Sequence, residues 1–431
     1  MKQLIILGNG FDLQCGLKSS YKDFFRSEIL DTNGELFGIR QMKNNCSGFW
    51  EELLFSYYKT YGDDDYKWCV IEAIIKETLF LVNYGQQDLT SPDASKGLWR
   101  QALSFSERPS YMKEPPYNND IIKKTVFDSC VKYLKKNNKH SGNTTSEDIR
   151  HLINIHLLQE LKKLEKRFCE YIKQQIVNPE NVKVLNEKYI VKASNMLIKL
   201  ADFSDIPNSL ITTDNIPSKD GKIYIFSEKV TKRFIDEVYI LSFNYTALFD
   251  ILCVKSPCIY SNVHGKICQK KCDGNCNSSI IFGIDDFIIQ SRNIKDELKL
   301  LSETDDELRL FSKTYRRMIN ASTPQSVLPS KDSVTIKFYG HSLSEADYSY
   351  FQSIFDYYSL YGNRNVDIIF YNSKGHEQID EIYRLVNTYG KTLINKEQGK
   401  NLMHKLLLEN RIKIVEISLK EEDPLQFNIK N

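Results

Sequence analysis

Polar residues that can bind a nucleotide or move a proton follow several short apolar runs of this sequence. Asn244 follows the run "VYILSF", His264 follows "YSNV" and Gly340 follows "VTIKFY". An imidazole can accept a proton near neutral pH, an amide can orient water, and glycine lets the backbone approach a ligand closely. The full set of candidates is Gly8, Asn9, Gly10, Asp12, Asn244, Tyr245, Thr246, His264, Gly265, Asp285, Asp286, Gly340, His341, Ser342 and Asn372.

Each of these residues also has a purely structural interpretation. Asn244 can cap the helix that follows it, and a single histidine after an apolar run is often a core residue. Ser342 and Ser344 have the positions of helix N-caps, and Asp347 can compensate the dipole of the same helix. Their convergence favours function, because ligands of an open α/β sheet bind beyond the carboxyl ends of its strands.

The opening stretch "LIILGNGFDLQCGL" allows two interpretations. Gly8-Asn9-Gly10 is either a cradle for a nucleotide phosphate or a tight turn between a strand and a helix. Asp12 has the position of an N-cap carboxylate and needs no ligand to explain it. The dinucleotide-binding fingerprint has a third glycine where this chain has Leu13.

The composition limits the class of protein. A chain of 431 residues exceeds the usual size of one core, so a second domain or a large insertion is expected. The 58 basic and 56 acidic residues nearly cancel, which excludes the broad basic surface of a dedicated duplex-binding protein. No apolar run is long enough to span a membrane and no signal peptide is recognised, so we expect a cytoplasmic protein without a membrane partner.

Most of the ten cysteines stand singly in apolar segments and are interpreted as buried thiols. The segment "CQKKCDGNC" holds Cys268, Cys272 and Cys276, and His264 or Cys258 is a candidate fourth zinc ligand. Both gaps contain three residues, so the two-residue spacing of a zinc knuckle is missing. We therefore predict a lysine-rich loop and no metal site.

Strand-like runs are concentrated at the two ends of the chain. Residues 4–7 and the later runs "VYILSFNY", "YSNVH", "SIIFGID", "VTIKFYGHSL", "VDIIFYN" and "IKIVEIS" alternate with helical segments, which indicates a doubly wound, mostly parallel sheet. We predict that residues 4–7, 238–243, 280–284, 335–339 and 366–371 are neighbouring strands. The first strand has no local partner, so residues 1–45 and 231–431 form one discontinuous domain.

The predicted insertion, residues 46–230, has mainly helical spacing. One apolar stripe with steps of three and four residues consists of Leu157, Leu161, Leu164, Phe168 and Tyr171. Such a stripe is typical of a helix that packs against its neighbours and has no chemistry of its own.

Several segments of the chain resemble the ordered motifs of the AbiH family, which are bacterial proteins linked to abortive infection. The segments that carry the resemblance are "LIILGNGFDLQCGLKSSYKDF", "WCVIEAI", "ILSFNYTALFD", "VHGKI", "IFGIDD" and "FYGHSLSEADYSYF". AbiH proteins are in turn distantly similar to sirtuin-like proteins, whose Rossmann-like fold binds and cleaves NAD. The resemblance thus implies a Rossmann-like (sirtuin-like) α/β fold and a nucleotide site.

The resemblance also implies roles for individual residues. It assigns His264 and Asn244 to catalysis, His264 as the base and Asn244 as the group that positions water or the nicotinamide ribose. The binding residues that it implies are Gly8, Asn9 and Gly10 under the pyrophosphate, Asp12 beside them, Gly340 and Ser342 at a phosphate, and Asn372 at the adenosine ribose.

Two classes of function remain open on the sequence. The first is an enzyme that cleaves the N-glycosidic bond of NAD and so arrests growth. The second is a nucleotide-sensing interaction protein that does not cleave its ligand; its variant is a metal-dependent nucleotide or nucleic-acid hydrolase. In that variant the acids, bases or Mg²⁺ ligands are Asp12, Glu72, Asp285 and Asp347.

The partners expected on the first hypothesis are an NAD-like nucleotide and a phage-encoded trigger, and a homo-oligomer is compatible with it. No obligatory cofactor is expected, since NAD is the substrate; Mg²⁺ enters only with the metal-dependent variant.

Overall fold

The computed structural model describes residues 2–29, 48–61, 71–84, 146–176, 187–201, 228–248, 259–267, 280–285, 308–320, 327–372 and 375–416. The strands are β1 (Lys2–Leu7), β2 (Val238–Ser242), β3 (Ile259–Asn262), β4 (Val334–Tyr339), β5 (Val366–Asn372) and β6 (Ile412–Glu416). The helices are α1 (Asn9–Gln14), α2 (Tyr21–Ile29), α3 (Phe49–Tyr61), α4 (Ile71–Tyr84), α5 (Ser146–Ile176), α6 (Glu187–Leu200), α7 (Glu228–Glu237), α8 (Lys313–Asn320), α9 (Tyr348–Tyr357), α10 (His376–Thr392) and α11 (Lys396–Leu408).

The six strands form one sheet in the order β3-β2-β1-β4-β5-β6, and every pair is parallel. The predicted α/β class with a parallel sheet is therefore confirmed. The strand order is that of doubly wound dinucleotide-binding folds, in which the order reverses beside the first strand. β1 pairs with β2 on one side and with β4 on the other, so residues distant in sequence meet at its carboxyl end.

The inner strands are apolar because helices cover both faces of a doubly wound parallel sheet. Leu4, Ile5 and Ile6 of β1 are fully buried, and every residue of β4 is buried. Phe338 of β4 stacks on Phe370 of β5, with ring centroids 4.6 Å apart. These continuous apolar runs are the signal that predicted the strands.

Lys337 is the charged residue of β4, and it binds carbonyl groups at the end of a helix. Its buried ammonium donates to Gln3 Oε1 at 2.8 Å and to the Leu200 carbonyl at 2.7 Å. Gln3 in turn donates to the Ala201 carbonyl at 2.8 Å. The two side chains satisfy carbonyl groups at the C-terminal end of α6, where a cation is favoured by the helix dipole.

The prediction that residues 280–284 form a strand of the sheet is wrong. Ile284 makes only an isolated parallel bridge to Ser312, and the Phe282 amide donates to the Glu165 carboxylate at 2.7 Å. The segment is buried and apolar like a strand, but its backbone is satisfied by partners outside the sheet. Cys268, Cys272, Cys276 and Asp286 lie outside the described residues.

The chain divides into two compact units. The first comprises Met1–Ser19, Cys169–Ile280 and Asn320–Asn431 and contains the sheet; the second comprises Ser20–Phe168 and Ile281–Ile319. The predicted domain boundaries at residues 45 and 230 stay predictions, and the division falls at other residues. Within 46–230, each described segment is helical, and the predicted stripe on α5 is buried.

The second unit has its own core, in which aromatic rings and a buried ion pair meet. Phe168 packs against Phe24 and Phe282, and Arg316 donates to both oxygens of Glu165, at 2.6 and 2.7 Å. None of the described helices is long and apolar enough to cross a membrane.

Candidate functional site

The glycines that follow β1 and β4 contact each other, and we call Gly8, Gly10 and Gly340 the glycine contact. The Gly10 amide donates to the Gly340 carbonyl at 2.8 Å, and the Gly8 amide donates to the Tyr339 carbonyl at 2.9 Å. A Cβ at Gly10 would lie 2.7 Å from Gly340 Cα, and one at Gly8 would lie 2.4 Å from His341 Cα. Both glycines therefore allow two backbone turns to touch, which any side chain would prevent.

Gly340 has a further constraint, since its φ is +66°. A Cβ there would lie 2.5 Å from the Phe11 amide nitrogen. Leu343 also has a positive φ, of 56°, and its amide donates to His341 Nδ1 at 2.9 Å. A buried leucine rarely adopts this conformation, so the turn after β4 is held by its surroundings in a shape that fixes the His341 ring.

Asp12 lies on the other side of β1, where it meets residues from α6 and from the turn after β2. We call Asp12, Tyr189, Asn244 and Thr246 the polar cluster. The Tyr189 hydroxyl donates to Asp12 Oδ1 at 2.9 Å, and the Thr246 hydroxyl donates to Asp12 Oδ2 at 2.8 Å. The Asn244 side chain is a third, weaker donor to the same carboxylate. The sequence thus correctly grouped Asp12 and Asn244, although they are far apart along the chain.

Burial dominates the electrostatics of Asp12, whose exposed fraction is 1%. Loss of hydration raises the pKa of Asp12 to about 6, and its hydroxyl and amide donors oppose that rise. The carboxylate therefore titrates just below neutral pH. A buried carboxylate with neutral partners is characteristic of functional sites, because ionising it costs stability that packing alone would not demand.

Asn244 is held by its backbone, and none of the described residues donates to its side-chain oxygen. Asn262 Nδ2 donates to the Asn244 carbonyl at 2.7 Å and to the Thr246 carbonyl at 3.0 Å, which fixes the turn. Asn244 is 3% exposed, and no donor among the described residues reaches its Oδ1. A buried acceptor without a partner is costly, so this atom is well placed to bind a ligand group or water.

Two histidines share one carboxylate. His264 Nε2 lies 2.9 Å from Asp347 Oδ1, and His341 Nε2 lies 3.4 Å from Asp347 Oδ2. The distance to His264 is that of an ion pair, but its alignment falls short of a hydrogen bond. The Phe243 ring packs edge-on against both imidazoles, with centroids 5.3 Å from His264 and 4.6 Å from His341.

His264 and Asn244 are brought together by the turns after β2 and β3. Asn244 lies between Phe243 and Tyr245, and both of these rings contact the His264 ring. The imidazole with its carboxylate partner and the buried amide acceptor therefore lie in the turns that follow two adjacent strands. Chemically, such a pair can accept a proton from water or a hydroxyl and hold the oxygen that loses it.

The other residues predicted to bind the nucleotide lie at or just after the carboxyl ends of β1, β4 and β5. Asn9 Oδ1 accepts from the Ser19 hydroxyl at 2.6 Å, and Asn372 Nδ2 donates to the Gly375 carbonyl at 3.1 Å. Ser342 is exposed in the turn that also holds His341. Asn372 ends β5, which is separated from β2 by β1 and β4. The ligand-binding roles of these residues stay predictions.

Glu72 and Asp285 belong to the second unit. Glu72 accepts from the Tyr21 hydroxyl at 2.8 Å and lies 3.8 Å from the ammonium of buried Lys313. The sequence groups Asp285 with the sheet only through the predicted strand at residues 280–284, and that strand prediction is wrong. Within the described ranges, no three His, Cys, Asp or Glu side chains are arranged to hold a metal ion.

Tyr189 and Asn262 are site residues that the sequence reasoning missed. Tyr189 lies on α6, 177 positions from the carboxylate it binds, and nothing in its local sequence marks it. Asn262 ends β3, so its position at the carboxyl edge of a strand was a signal that the strand-end rule could have used. Asp347 was recognised as a candidate, but its contact with His264 was not foreseen.

A family model described as bacteriophage abortive infection AbiH matches residues 4–372. The chain belongs to the AbiH family. This match confirms the family resemblance of the sequence and places the chain among abortive infection proteins that act against bacteriophage. No match was found among curated proteins, and none among solved structures. The further similarity to sirtuin-like proteins stays a prediction.

Proposed function

We propose that this AbiH-family chain binds a nucleotide at the carboxyl edge of β1, β2 and β3 and cleaves the N-glycosidic bond of NAD. The observation that carries the proposal is the pairing of His264 Nε2 with Asp347 Oδ1, at 2.9 Å, at the same edge of the sheet as Asn244, whose buried Oδ1 has no donor among the described residues. The strand order supports a nucleotide site, because doubly wound sheets bind nucleotides where the order reverses.

The reaction needs few catalytic groups, which suits this site. When the bond between ribose C1′ and the nicotinamide nitrogen breaks, its electron pair moves to the positively charged ring, and nicotinamide leaves as a neutral molecule. No general acid is required for that step. Water adds its oxygen to C1′ and gives up one proton, so one base and one acceptor that orients the water suffice.

His264 is the base in this mechanism. When its Nε2–H is directed at Asp347, Nδ1 is the basic nitrogen, and the carboxylate stabilises the imidazolium that forms. Asn244 Oδ1 accepts a hydrogen bond from the attacking water. The surrounding rings of Phe243, Tyr245 and Tyr350 exclude bulk water from the reacting atoms.

Loss of cellular NAD would arrest growth, which is the outcome that abortive infection requires. A phage-encoded trigger and a homo-oligomer are part of the proposal and rest on the family alone.

The test is to incubate the purified protein with NAD and to quantify nicotinamide and ADP-ribose by chromatography. His264→Ala should lower kcat by about 10²–10⁴-fold while calorimetric NAD binding stays within a few-fold, because a general base acts mainly on the transition state. His376→Ala, which alters an exposed histidine at the start of α10, is the matched control and should keep full activity.

Each result separates the two hypotheses left open by the sequence. Binding without cleavage, at the protein's own optimum pH and with or without Mg²⁺, would replace the enzyme with a nucleotide sensor. A purified protein that neither binds nor cleaves NAD would contradict the proposal as a whole.

A further inference from the structure

The Asp12 carboxylate is oriented entirely by groups of the protein. Its two oxygens accept hydrogen bonds from Tyr189 and Thr246, and the Asn244 amide approaches it as the third donor. With 1% of its surface exposed, Asp12 presents no surface to solvent that a cofactor could use. This differs from the role implied by the family resemblance, in which Asp12 is counted among the nucleotide-binding residues.

The contact with Asn244 determines which way the amide faces. A carboxylate can only accept hydrogen bonds, so the Asn244 atom directed at Asp12 is Nδ2, the donor. Oδ1 then faces away from Asp12, and this is the buried atom that no donor among the described residues reaches. The identity of the two ends of the amide is thus fixed by chemistry.

We propose that Asp12 is a positioning residue: its carboxylate holds the Asn244 amide with Oδ1 directed at the water or hydroxyl group of the bound substrate. The inference rests on the function proposed above, and it assigns Asp12 a role that acts through Asn244. Without the carboxylate, the amide can rotate and present Nδ2, which repels the proton of the attacking water where an acceptor is needed. Tyr189 and Thr246 hold the carboxylate in place for this purpose.

The orientation depends on pH because only the ionised carboxylate accepts from all three donors. Burial raises the pKa of Asp12 to about 6, so the orienting form is lost below that pH. The titratable groups that interact with Asp12 are the phenol of Tyr189 on α6 and the thiol of Cys15, which follows α1. Burial raises the pKa of both well above the usual range, so both stay neutral here, and the Lys192 ammonium acts on Cys15.

The direct test observes the side-chain amide of Asn244 by NMR and does not depend on NAD cleavage. The chain is labelled with [15N]asparagine, and the side-chain resonance of Asn244 is identified by its loss in Asn244→Ser. In the parent protein this resonance should titrate with a midpoint of about 6, and Asp12→Asn should abolish the titration. Asp356→Asn is the matched control, since Asp356 also accepts from a tyrosine hydroxyl, that of Tyr389 at 2.9 Å, and it should leave the titration unchanged.

The kinetic test asks whether the orientation matters for catalysis. Asp12→Asn should lower kcat with NAD about a hundredfold, leave KM within about threefold, and remove the part of the acid limb of the pH profile that is due to Asp12. Asp356→Asn should keep the rate and the acid limb.

The outcomes separate this inference from the proposed function. If the parent cleaves NAD and Asp12→Asn keeps both rate and acid limb, the positioning role is overturned while the enzyme stands. If the parent does not cleave NAD, the proposed function fails. The titration of the Asn244 side-chain resonance then shows by itself whether Asp12 orients the amide. An Asn244 amide that does not titrate, or that titrates equally in Asp12→Asn, overturns the inference in either case.

Discussion

The two sides of β1 differ in what they place at its carboxyl end. Toward β4 lies the glycine contact, in which backbone touches backbone and the amides of Gly8 and Gly10 are bonded to carbonyls of the neighbouring turn. Toward β2 lies the polar cluster, in which a buried carboxylate is surrounded by side chains with neutral donors. The same sequence stretch, "GNGFD", supplies both sides, so one motif combines a packing element and a chemical element.

A second buried carboxylate sharpens this contrast. Glu165 in the second unit is also buried, but it receives two hydrogen bonds from the Arg316 guanidinium and one from the Phe282 amide. Its charge is offset by a cation, which is the arrangement of a structural ion pair. The partners of Asp12 among the described residues are a phenol, a hydroxyl and an amide, none of which is a cation, and burial raises the pKa of both carboxyl groups.

The largest expected effect is on the packing side. Gly340→Ala should lower the free energy of unfolding by about 4 kcal/mol, because it adds the cost of a positive φ to an overlap with the Phe11 amide. Urea denaturation measures the loss. Gly16→Ala is the control: Gly16 also has a positive φ, of 93°, but nothing lies within 4 Å of its added Cβ, so the loss should be about 1 kcal/mol.

Equal losses in the two glycine variants would contradict the glycine contact. They would show that the space beside Gly340 is open, as a phosphate cradle requires.

The second effect concerns stability against pH and tests the polar cluster. The pKa of Asp12 is raised from 3.8 to about 6, so the folded state binds the proton more tightly than the unfolded chain. Stability should therefore fall as pH rises from about 4 to about 6, and the contribution of Asp12 amounts to about 3 kcal/mol. Asp12→Asn should remove that part of the slope. Urea midpoints of parent and variant across this range measure the difference.

Comparison with the variant is needed because burial also raises the pKa of Glu51 to about 7, which gives a slope of the same sign. Glu51→Gln should remove the part of the slope that extends toward neutral pH and leave the part due to Asp12. If the curves of urea midpoint against pH are parallel for the parent and Asp12→Asn, folding does not raise the pKa of Asp12.

The third effect tests the carboxylate that the two histidines share. Asp347→Asn should lower kcat with NAD by about a hundredfold, since the amide cannot stabilise the imidazolium of His264. His341→Gln should have a smaller effect, because His341 Nε2 is 3.4 Å from Asp347 and the contact is weaker. A larger loss in His341→Gln would make His341 the base and reverse the assignment.

The sequence predicted the inner strands well because their residues are buried on both faces, so apolar runs such as "LIIL" and "VTIKFY" need no alternation to be recognised. The same criterion wrongly predicted that residues 280–284 form a strand of the sheet. This segment is equally apolar and buried, but its amide at Phe282 is bonded to a side chain, Glu165, and no periodicity reveals such a partner. An apolar run predicts that a segment is buried. It does not predict which group forms a hydrogen bond with the backbone, because that depends on the fold.

The positions of several candidate residues were predicted for a related reason. The strand-end rule selected Asp12, Asn244 and His264 because each follows a recognisable strand, and the sheet brings the first two into contact. It could not select Tyr189, which comes from a helix. It also could not tell that Gly10 would meet Gly340, because a close backbone contact and a phosphate cradle both need a residue without a Cβ.

The smallest expected effect is that of a single hydroxyl in the polar cluster. Tyr189→Phe removes one of the donors that lower the pKa of Asp12, so the midpoint of the Asn244 amide titration should move above that of the parent. Stability near neutral pH should fall by about 1 kcal/mol, the usual net value of one hydrogen bond. Tyr389→Phe is the matched control, because it removes the same kind of bond, at 2.9 Å, from Asp356, which is exposed and can bind water instead. The control should lose less stability and leave the midpoint unchanged. If Tyr189→Phe also leaves the midpoint unchanged, the hydroxyl does not act on the Asp12 carboxylate, and the polar cluster reduces to Asp12, Asn244 and Thr246.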